Sequence, residues 1–217
     1  MAEKLLVKKF LYEHRFGVFL TSLMALISVD LLFPREIQKQ VIQFMVIQNI
    51  IISTVLFIKK SKKEKSIITV LIVISIINLI STVVFPDFNI DYWTYLVGLV
   101  YFVFVSIHLL SDIYKLKKLT REAVFGVFAG FILMAIISGF LFLIVESIVP
   151  NSFSGINDKN DLESYMYFSF ITLMTIGYGD ITPLTDIARK LVITVALIGH
   201  FYTVFVAAIV VGKMFSK

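Results

Sequence analysis

The sequence predicts an all-α membrane protein with six transmembrane helices and one re-entrant segment. The first observation is composition: 59% of the 217 residues are hydrophobic and only 16% are charged. Soluble domains carry about 25% charged residues, so this chain has too little charge to cover a water-facing surface. The second observation is that the apolar residues form six long runs. The third is that one further apolar segment is too short to cross the bilayer twice.

Each of the six runs approaches the length of about 20 residues that a helix needs to span the hydrocarbon core. They cover residues 16–33, 37–58, 66–85, 93–114, 123–145 and 187–211. Backbone amides in lipid must be paired within their own segment, so these runs are predicted as helices. The basic start of the chain and its first apolar run also fit a signal peptide. No small-x-small cleavage site closes that run, which favours a retained first span.

The basic residues lie on alternate connections between the runs, and this pattern predicts the orientation. Most of the 20 Lys and Arg residues fall within 4–15, 59–65, 115–121 and 213–217. The positive-inside rule then places both termini in the cytoplasm, in a multi-pass protein of the cell membrane. Such lysine clusters could bind anionic lipid headgroups. Because they lie against a membrane surface, the net charge of +5 does not indicate a nucleic-acid partner.

Residues 162–179 are apolar and aromatic but too few to cross the membrane and return as two helices. At 1.5 Å per residue, a helix over 162–174 is about 20 Å long and reaches the middle of the bilayer. Residues 175–180 must then return to the outer side in extended form. Irregular backbone at that depth is tolerated only where protein shields it or where it lines an aqueous path. The segment therefore indicates a water-filled pathway.

The residues of this return strand suit the binding of a bare monovalent cation. Gly177 and Gly179 can adopt positive φ without a Cβ penalty, and alternating backbone hands turn successive carbonyls toward one axis. Thr175 adds a hydroxyl at the inner end, and the Tyr178 ring is expected to point away from the axis into packing. Rings of carbonyls replace the hydration shell of such an ion. One chain supplies one arc of each ring, so several chains must surround the axis.

Residues 175–180 read T-I-G-Y-G-D and resemble the signature T-V/I-G-Y-G-D of the potassium channel family. An outer helix, a half-helix, this motif and an inner helix follow in the family's order over residues 120–217. Residues 1–119 match only as a count of four preceding spans. The resemblance implies a six-span member that forms a homotetramer with a fourfold axis. It implies K+ as the conducted ion and an extended selectivity filter of Thr175, Ile176, Gly177, Tyr178 and Gly179.

Two further positions resemble features of the family, and each has an alternative interpretation. Gly199 stands where the family often places a hinge glycine in the inner helix, but a close-packing glycine between helices is equally consistent. Glu146 resembles a glutamate that braces the loop behind the filter. A plain interfacial carboxylate at the outer end of the fifth span would have the same sequence.

Two departures from the family concern the surroundings of the filter. Tyr167 and Phe168 occupy the place of the usual tryptophan pair in the aromatic cuff. Ile171 stands where some members carry a glutamate that pairs with the filter aspartate, here Asp180. Tyr178 is therefore expected to find a different hydrogen-bond partner. Selectivity is expected to be less affected, because the glycines set most of the carbonyl geometry.

The fourth span lacks the charges of a voltage sensor. Strong voltage gating needs about 3–4 gating charges per subunit within the membrane field. Residues 92–111 contain no Lys or Arg. We therefore expect a sensor-like four-helix domain without gating charges over residues 1–119. The pore domain is expected over 120–217, with an outer helix at 123–145, a pore helix at 162–174, the filter at 175–179 and an inner helix at 187–211.

The favoured function is a potassium-selective channel that conducts K+ passively, with weak or no voltage gating. A poorly selective monovalent cation channel is one alternative, although nonselective relatives usually lose the tyrosine found here at Tyr178. A non-conducting regulatory or sensing subunit that acts through residues 1–119 is another. An enzyme is not expected, because no nucleophile, base and metal-ligand set lies in one pocket-forming segment.

Overall fold

The computed structural model describes residues 13–57, 66, 69–77, 80, 91–115, 120–156 and 162–215. Within these ranges the chain is helical apart from short connections and one pair of two-residue strands. The elements are α1 (Arg15–Ile27), α2 (Val29–Leu32), α3 (Arg35–Phe57), α4 (Asp91–Tyr114), α5 (Arg121–Ile148), β1 (Phe153–Ser154), α6 (Leu162–Leu173), β2 (Thr182–Pro183) and α7 (Asp186–Phe215). Among the described residues, α3, α4, α5 and α7 are long and apolar enough to cross a membrane, whereas α1 is a shorter apolar helix.

The first predicted span, 16–33, is interrupted at Ser28, which the sequence analysis did not anticipate. The Ser28 hydroxyl donates to the carbonyl of Met24 at 2.8 Å, and its N–H donates to Ala25 at 3.2 Å. A serine side chain that bonds back to the preceding turn competes with regular helix geometry, and the bond three residues back tightens the last turn. The apolar run is therefore divided into α1 and the single turn α2.

Several predicted features lie outside the described residues. The third span, 66–85, is helical at residues 66, 69–77 and 80, and its remaining residues are not described. The lysine cluster at 59–65, the basic residues within 1–12, and Lys117, Lys118 and Lys217 also lie outside. The predicted orientation therefore stays a prediction.

The chain divides into two compact units, each made of two stretches of sequence. One contains Met1–Ile90 and Phe104–Gly130, and the other contains Asp91–Val103 and Phe131–Lys217. The division falls within α4 and α5. A functional boundary between residues 119 and 120 remains a prediction from the sequence.

In the first unit, α1 packs against α3 through aromatic rings and one buried polar pair. The Phe57 ring lies 5.5 Å from Phe16 and 5.2 Å from Phe19, measured between ring centroids. The Ser22 hydroxyl donates to the side-chain oxygen of the fully buried Asn49 at 2.8 Å. Polar residues that pair across helices in this way are typical of helix contacts in membranes.

Charged groups from α4 and α5 contact the start of α1 in the same unit. Arg15 forms an ion pair with Asp112 at 3.7 Å, and both side chains are largely buried. The Gly17 N–H donates to a carboxylate oxygen of Glu122 at 3.2 Å. His14 precedes α1 without a side-chain capping bond, so Glu122 supplies the negative charge that the helix N-terminus favours.

In the second unit, α6 packs against α5 and the segment that follows α5. The Phe142 ring lies 5.1 Å from Phe168 and 5.6 Å from Phe153. The buried Ser169 hydroxyl donates to the carbonyl of Ala135 at 2.7 Å, which joins the two helices directly. The short helix is thereby held along its length, and its C-terminus leads into residues 174–180.

Candidate functional site

The chain leaves α6 through a Schellman motif, the hydrogen-bond pattern that closes many helix C-termini. The Ile176 N–H donates to the carbonyl of Ile171 at 2.9 Å, and the Thr175 N–H donates to Thr172 at 3.1 Å. This motif places one residue in the left-handed region directly after the helix. Here that residue is Thr175, with φ of 56°. The start of the return strand is therefore fixed by the end of α6.

The backbone of residues 175–179, called the ribbon below, alternates in hand. Thr175, Gly177 and Gly179 have φ of 56°, 58° and 84°, whereas Ile176 and Tyr178 are not among the residues with positive φ. The left-handed backbone that the sequence analysis expected at the two glycines is thus present, and Thr175 extends it by one step. A β-branched residue rarely adopts positive φ, so Thr175 is the more unusual of these positions.

The ribbon receives little cover from its own chain. All residues from Thr175 to Gly179 are exposed in the isolated protomer, and Tyr178 is 72% exposed. A Cβ built on Gly177 or Gly179 meets no atom within 4 Å. Among the described residues, little packs against the Tyr178 ring, which the sequence predicted to point into packing.

The outer end of the ribbon is joined to α6 by a hydrogen bond. The Tyr167 hydroxyl donates to a carboxylate oxygen of Asp180 at 2.7 Å. This hydrogen bond lowers the pKa of the Asp180 carboxyl group below its ordinary value. Ile171 is buried and offers no polar group there. Tyr167 thus supplies the partner of Asp180 that Ile171 lacks.

Phe168 faces the opposite way from its neighbour Tyr167. It is buried, and its ring lies 5.6 Å from Phe153 as well as near Phe142. The two residues at the place of the tryptophan pair therefore have different contacts. One holds the outer end of the ribbon, and the other packs into the aromatic core behind α6.

Glu146 anchors the loop that follows α5. Its side chain is only 4% exposed. The carboxylate accepts from the N–H groups of Asn151, Ser152 and Phe153, at 2.8, 2.8 and 3.1 Å. A buried carboxylate with three such donors is well satisfied, which an interfacial carboxylate in water would not require. Of the two interpretations of Glu146, these contacts favour the bracing one.

The braced loop pairs with the residues that follow the ribbon. Strands β1 and β2 are antiparallel, with Phe153 opposite Pro183 and Ser154 opposite Thr182. The Leu184 N–H donates to the carbonyl of Ser152 at 2.8 Å. The sequence does not predict this pairing, because strands of two residues carry no periodicity. The turn residues Asn151, Ser152 and Gly155 are the only local signal of it.

Gly199 of α7 lies against the last residue of α6. A Cβ built on Gly199 would collide with the end of the Leu173 side chain, and it would lie 3.5 Å from the Leu173 Cα. This close approach supports the packing interpretation of Gly199. A hinge at the same position remains a prediction.

Helix α7 carries a series of large apolar side chains that its own protomer does not cover. Each of these residues is more than half exposed: Ile193, Leu197, Ile198, Phe201, Val204 and Phe205.

Within the described residues, no group of three or more His, Cys, Asp or Glu side chains could hold a metal ion. The ribbon itself offers backbone carbonyls and the Thr175 hydroxyl as oxygen groups.

The family match falls on the part of the chain that contains the ribbon. Residues 129–216 match the family described as "Ion channel". The chain is 38% identical over 84 residues to potassium voltage-gated channel subfamily KQT member 3 from Homo sapiens, and equally to that of Bos taurus. These matches cover 37% of this chain and 10% of each relative. The chain resembles potassium channels.

A third relative, a hyperpolarization-activated voltage-gated potassium channel of Methanocaldococcus jannaschii, is 35% identical over 80 residues, which cover 36% of this chain and 35% of the relative. The chain thus spans about a tenth of the KQT relatives and about a third of the archaeal one. No solved structure matches it. Together with the apolar helices, these findings support a membrane protein with a region similar to potassium channels. These relatives are channels and not enzymes, which agrees with the expectation that this chain is not an enzyme.

Proposed function

We propose that this protein is a potassium-selective channel that conducts K+ passively across the cell membrane, with weak or no voltage gating. The selectivity filter is formed by Thr175, Ile176, Gly177, Tyr178 and Gly179, contributed by four copies around a fourfold axis. α5, α6 and α7 serve as outer helix, pore helix and inner helix. The similarity of residues 129–216 to ion channels supports this assignment of the helices.

The observation that carries the proposal is the alternating hand of the ribbon. Residues that alternate in the sign of φ align their peptide groups, with N–H groups on one side and carbonyl oxygens on the other. With positive φ at Thr175, Gly177 and Gly179, successive carbonyls can face a common axis. Stacked carbonyl rings then substitute for the water around a dehydrated K+ ion.

The exposure of the ribbon and of α7 supports a homotetramer. A carbonyl ring needs several chains, and the open space beside Gly177 and Gly179 leaves room for an ion path on one side. The Tyr178 ring is 72% exposed in the isolated protomer, and α7 has exposed apolar side chains beside it along the chain. In the proposed tetramer, neighbouring protomers pack against both. Both termini lie in the cytoplasm, where the lysine clusters face lipid headgroups.

The proposal is tested by ion flux into liposomes that contain the purified protein. A K+ gradient should drive flux that barium blocks, and the Gly177→Ala variant should lose it. The added methyl group meets no atom of its own chain, but φ of 58° disfavours any side chain by about 1–2 kcal/mol. Val55→Ala, at an exposed apolar position of α3, is the control for incorporation into the membrane.

The same experiment separates the alternatives. Equal fluxes of Na+ and K+ through the wild-type protein would replace the proposal with a poorly selective cation channel. The absence of any flux, with the protein correctly inserted, would favour a non-conducting regulatory or sensing subunit.

A further inference from the structure

The residue after the ribbon, Asp180, contacts the loop that follows α5. The loop is held by the buried carboxylate of Glu146, near the end of α5, and continues into β1, which pairs with β2. Two side-chain contacts reinforce the pairing: Ser154 with Thr182 at 2.6 Å, and Ser152 with Thr185 at 2.9 Å, each between hydroxyl oxygens. The loop is therefore a fixed support rather than a free surface segment.

Gly155 is the residue at which this support contacts the outer end of the ribbon. A Cβ built on Gly155 would collide with the carbonyl oxygen of Asp180. It would also lie 3.0 Å from the carbonyl carbon of Asp180 and 3.2 Å from the Cα of Ile181. These are backbone atoms, which cannot turn aside as a flexible side chain can. Gly155 also has φ of 83°, where L side chains are disfavoured.

A small displacement at this contact would also shift the neighbouring carbonyl groups that are proposed to bind the ion. Asp180 directly follows Gly179, the last residue of the ribbon. The inner end of the ribbon is fixed by the Schellman motif at Thr175 and by the Gly177 N–H, which donates to the carbonyl of Ile171 at 3.3 Å. Farther out there is open space beside Gly179, where an added Cβ would meet no atom within 4 Å. A shift of the Asp180 carbonyl therefore has to be absorbed by the peptide groups of Tyr178 and Gly179.

We propose that Gly155 is a positioning residue for the ion-conducting ribbon. Its bare Cα lets the support approach the Asp180 backbone, and this approach sets the outermost carbonyl ring. The inference rests on the proposed function, because it concerns how selectively the ribbon binds ions. Carbonyl number and field decide the preference for K+ over Na+, so a displaced ring is expected to weaken selectivity before it abolishes conduction.

Two substitutions separate the contact with Asp180 from simple backbone strain. Gly155→Ala adds the Cβ and has the full free-energy cost of a side chain at positive φ. Gly155→Asn adds the same Cβ, but asparagine tolerates the left-handed region better than other residues. If the contact matters, the two variants should change selectivity alike. If strain alone matters, Gly155→Asn should be close to wild type.

The control is Asn151→Ala, at a residue of the same loop that already carries a Cβ at φ of 65°. The readout is the ratio of Na+ to K+ flux through liposomes, with tandem-linked tetramers that contain one or two variant subunits. Linked wild-type subunits let the assembly form even where four variant copies would not fold.

We expect both Gly155 variants to raise the flux ratio about tenfold, equivalent to about 1.4 kcal/mol of discrimination, and more with two variant subunits than with one. Asn151→Ala should leave the ratio unchanged. A wild-type flux ratio in assembled Gly155→Ala tetramers, or in Gly155→Asn tetramers alone, would overturn the proposal. Wild-type protein that conducts no K+, or Na+ equally well, would instead refute the proposed function, and that result is obtained before any variant is tested.

Discussion

The phenol of Tyr167 donates to the Asp180 carboxylate and lowers the pKa of that carboxyl group. A lowered pKa in the folded protein means that this contribution to stability is fully present above the ordinary value of about 3.9. It is lost as pH falls through the lowered pKa. Removing the hydroxyl in Tyr167→Phe should move the pKa of Asp180 upward, so acid should disturb the outer end of the ribbon at a higher pH.

The measurement is K+ flux as a function of external pH for wild type and Tyr167→Phe. The variant should lose flux at a higher pH than wild type. Asp180→Asn serves as the control, since it has no carboxyl group to titrate and should lack this acid step. Identical midpoints in wild type and Tyr167→Phe would show that the hydrogen bond does not govern the titration.

Thr175 carries backbone strain at the start of the ribbon. Glycine is the usual left-handed residue of a Schellman motif, and a non-glycine residue there costs about 1–2 kcal/mol. Such strain persists mainly at functional positions, where the surrounding structure enforces it. In the proposed filter, the hydroxyl of Thr175 would explain why threonine and not glycine occupies this strained position. Glycine could adopt the same backbone geometry but has no side-chain oxygen.

The loop after α5 depends on one buried carboxylate, which makes Glu146→Gln an informative change. Glutamine has nearly the same size, but its side chain has only one oxygen that can accept hydrogen bonds. Three N–H groups now donate to the two oxygens of the Glu146 carboxylate. A buried donor left unpaired costs about 1–3 kcal/mol. We expect a loss of stability in that range, measured by thermal or denaturant unfolding of the protein in detergent.

Asp186→Asn is the matched control for this substitution. Its carboxylate is 91% exposed and lies 3.9 Å from Arg189, a separation and exposure at which ion pairs contribute little. Its effect on stability should stay within about 0.5 kcal/mol. If Glu146→Gln were as mild as this control, the three hydrogen bonds would not stabilise the loop.

Helices α5 and α7 could be predicted because each contains a long, mostly apolar run. The predicted ranges 123–145 and 187–211 lie within α5 and α7, and 162–174 exceeds α6 by one residue. In contrast, the contact of Gly155 with Asp180 joins residues far apart in sequence through backbone atoms. No periodicity or composition signals such a contact, and the break at Ser28 likewise depends on local hydrogen bonds.

The proposed tetramer would account for the exposure of the ribbon in the isolated protomer. In it, neighbouring protomers would cover the ribbon and the Tyr178 ring, whereas the aromatic contacts around Phe142 form within one chain. Stability of the protomer and formation of the ion path would then depend on different residues. A substitution such as Gly177→Ala can therefore remove conduction while the helices remain folded.

Voltage sensitivity depends on how much charge the assembly can move through the membrane field. Helix α4 contains no Lys or Arg between Asp91 and Tyr114. Each elementary charge that crosses the field contributes about 2.3 kcal/mol per 100 mV, and steep gating uses about 3–4 charges per subunit. We therefore expect nearly constant open probability in planar bilayers across the physiological voltage range, with the barium-resistant leak subtracted at each step.

The matches to voltage-gated relatives cover 36–37% of this chain. They do not change this expectation, because α4 itself contains no Lys or Arg. A steep sigmoidal rise of conductance on depolarisation, or on hyperpolarisation, would contradict it. Such a result would require mobile charges other than Lys or Arg of α4, and the ion pair of Arg15 in α1 with Asp112 in α4 is the pair to neutralise first. They face each other within one compact unit and are largely buried, so their separation would move charge.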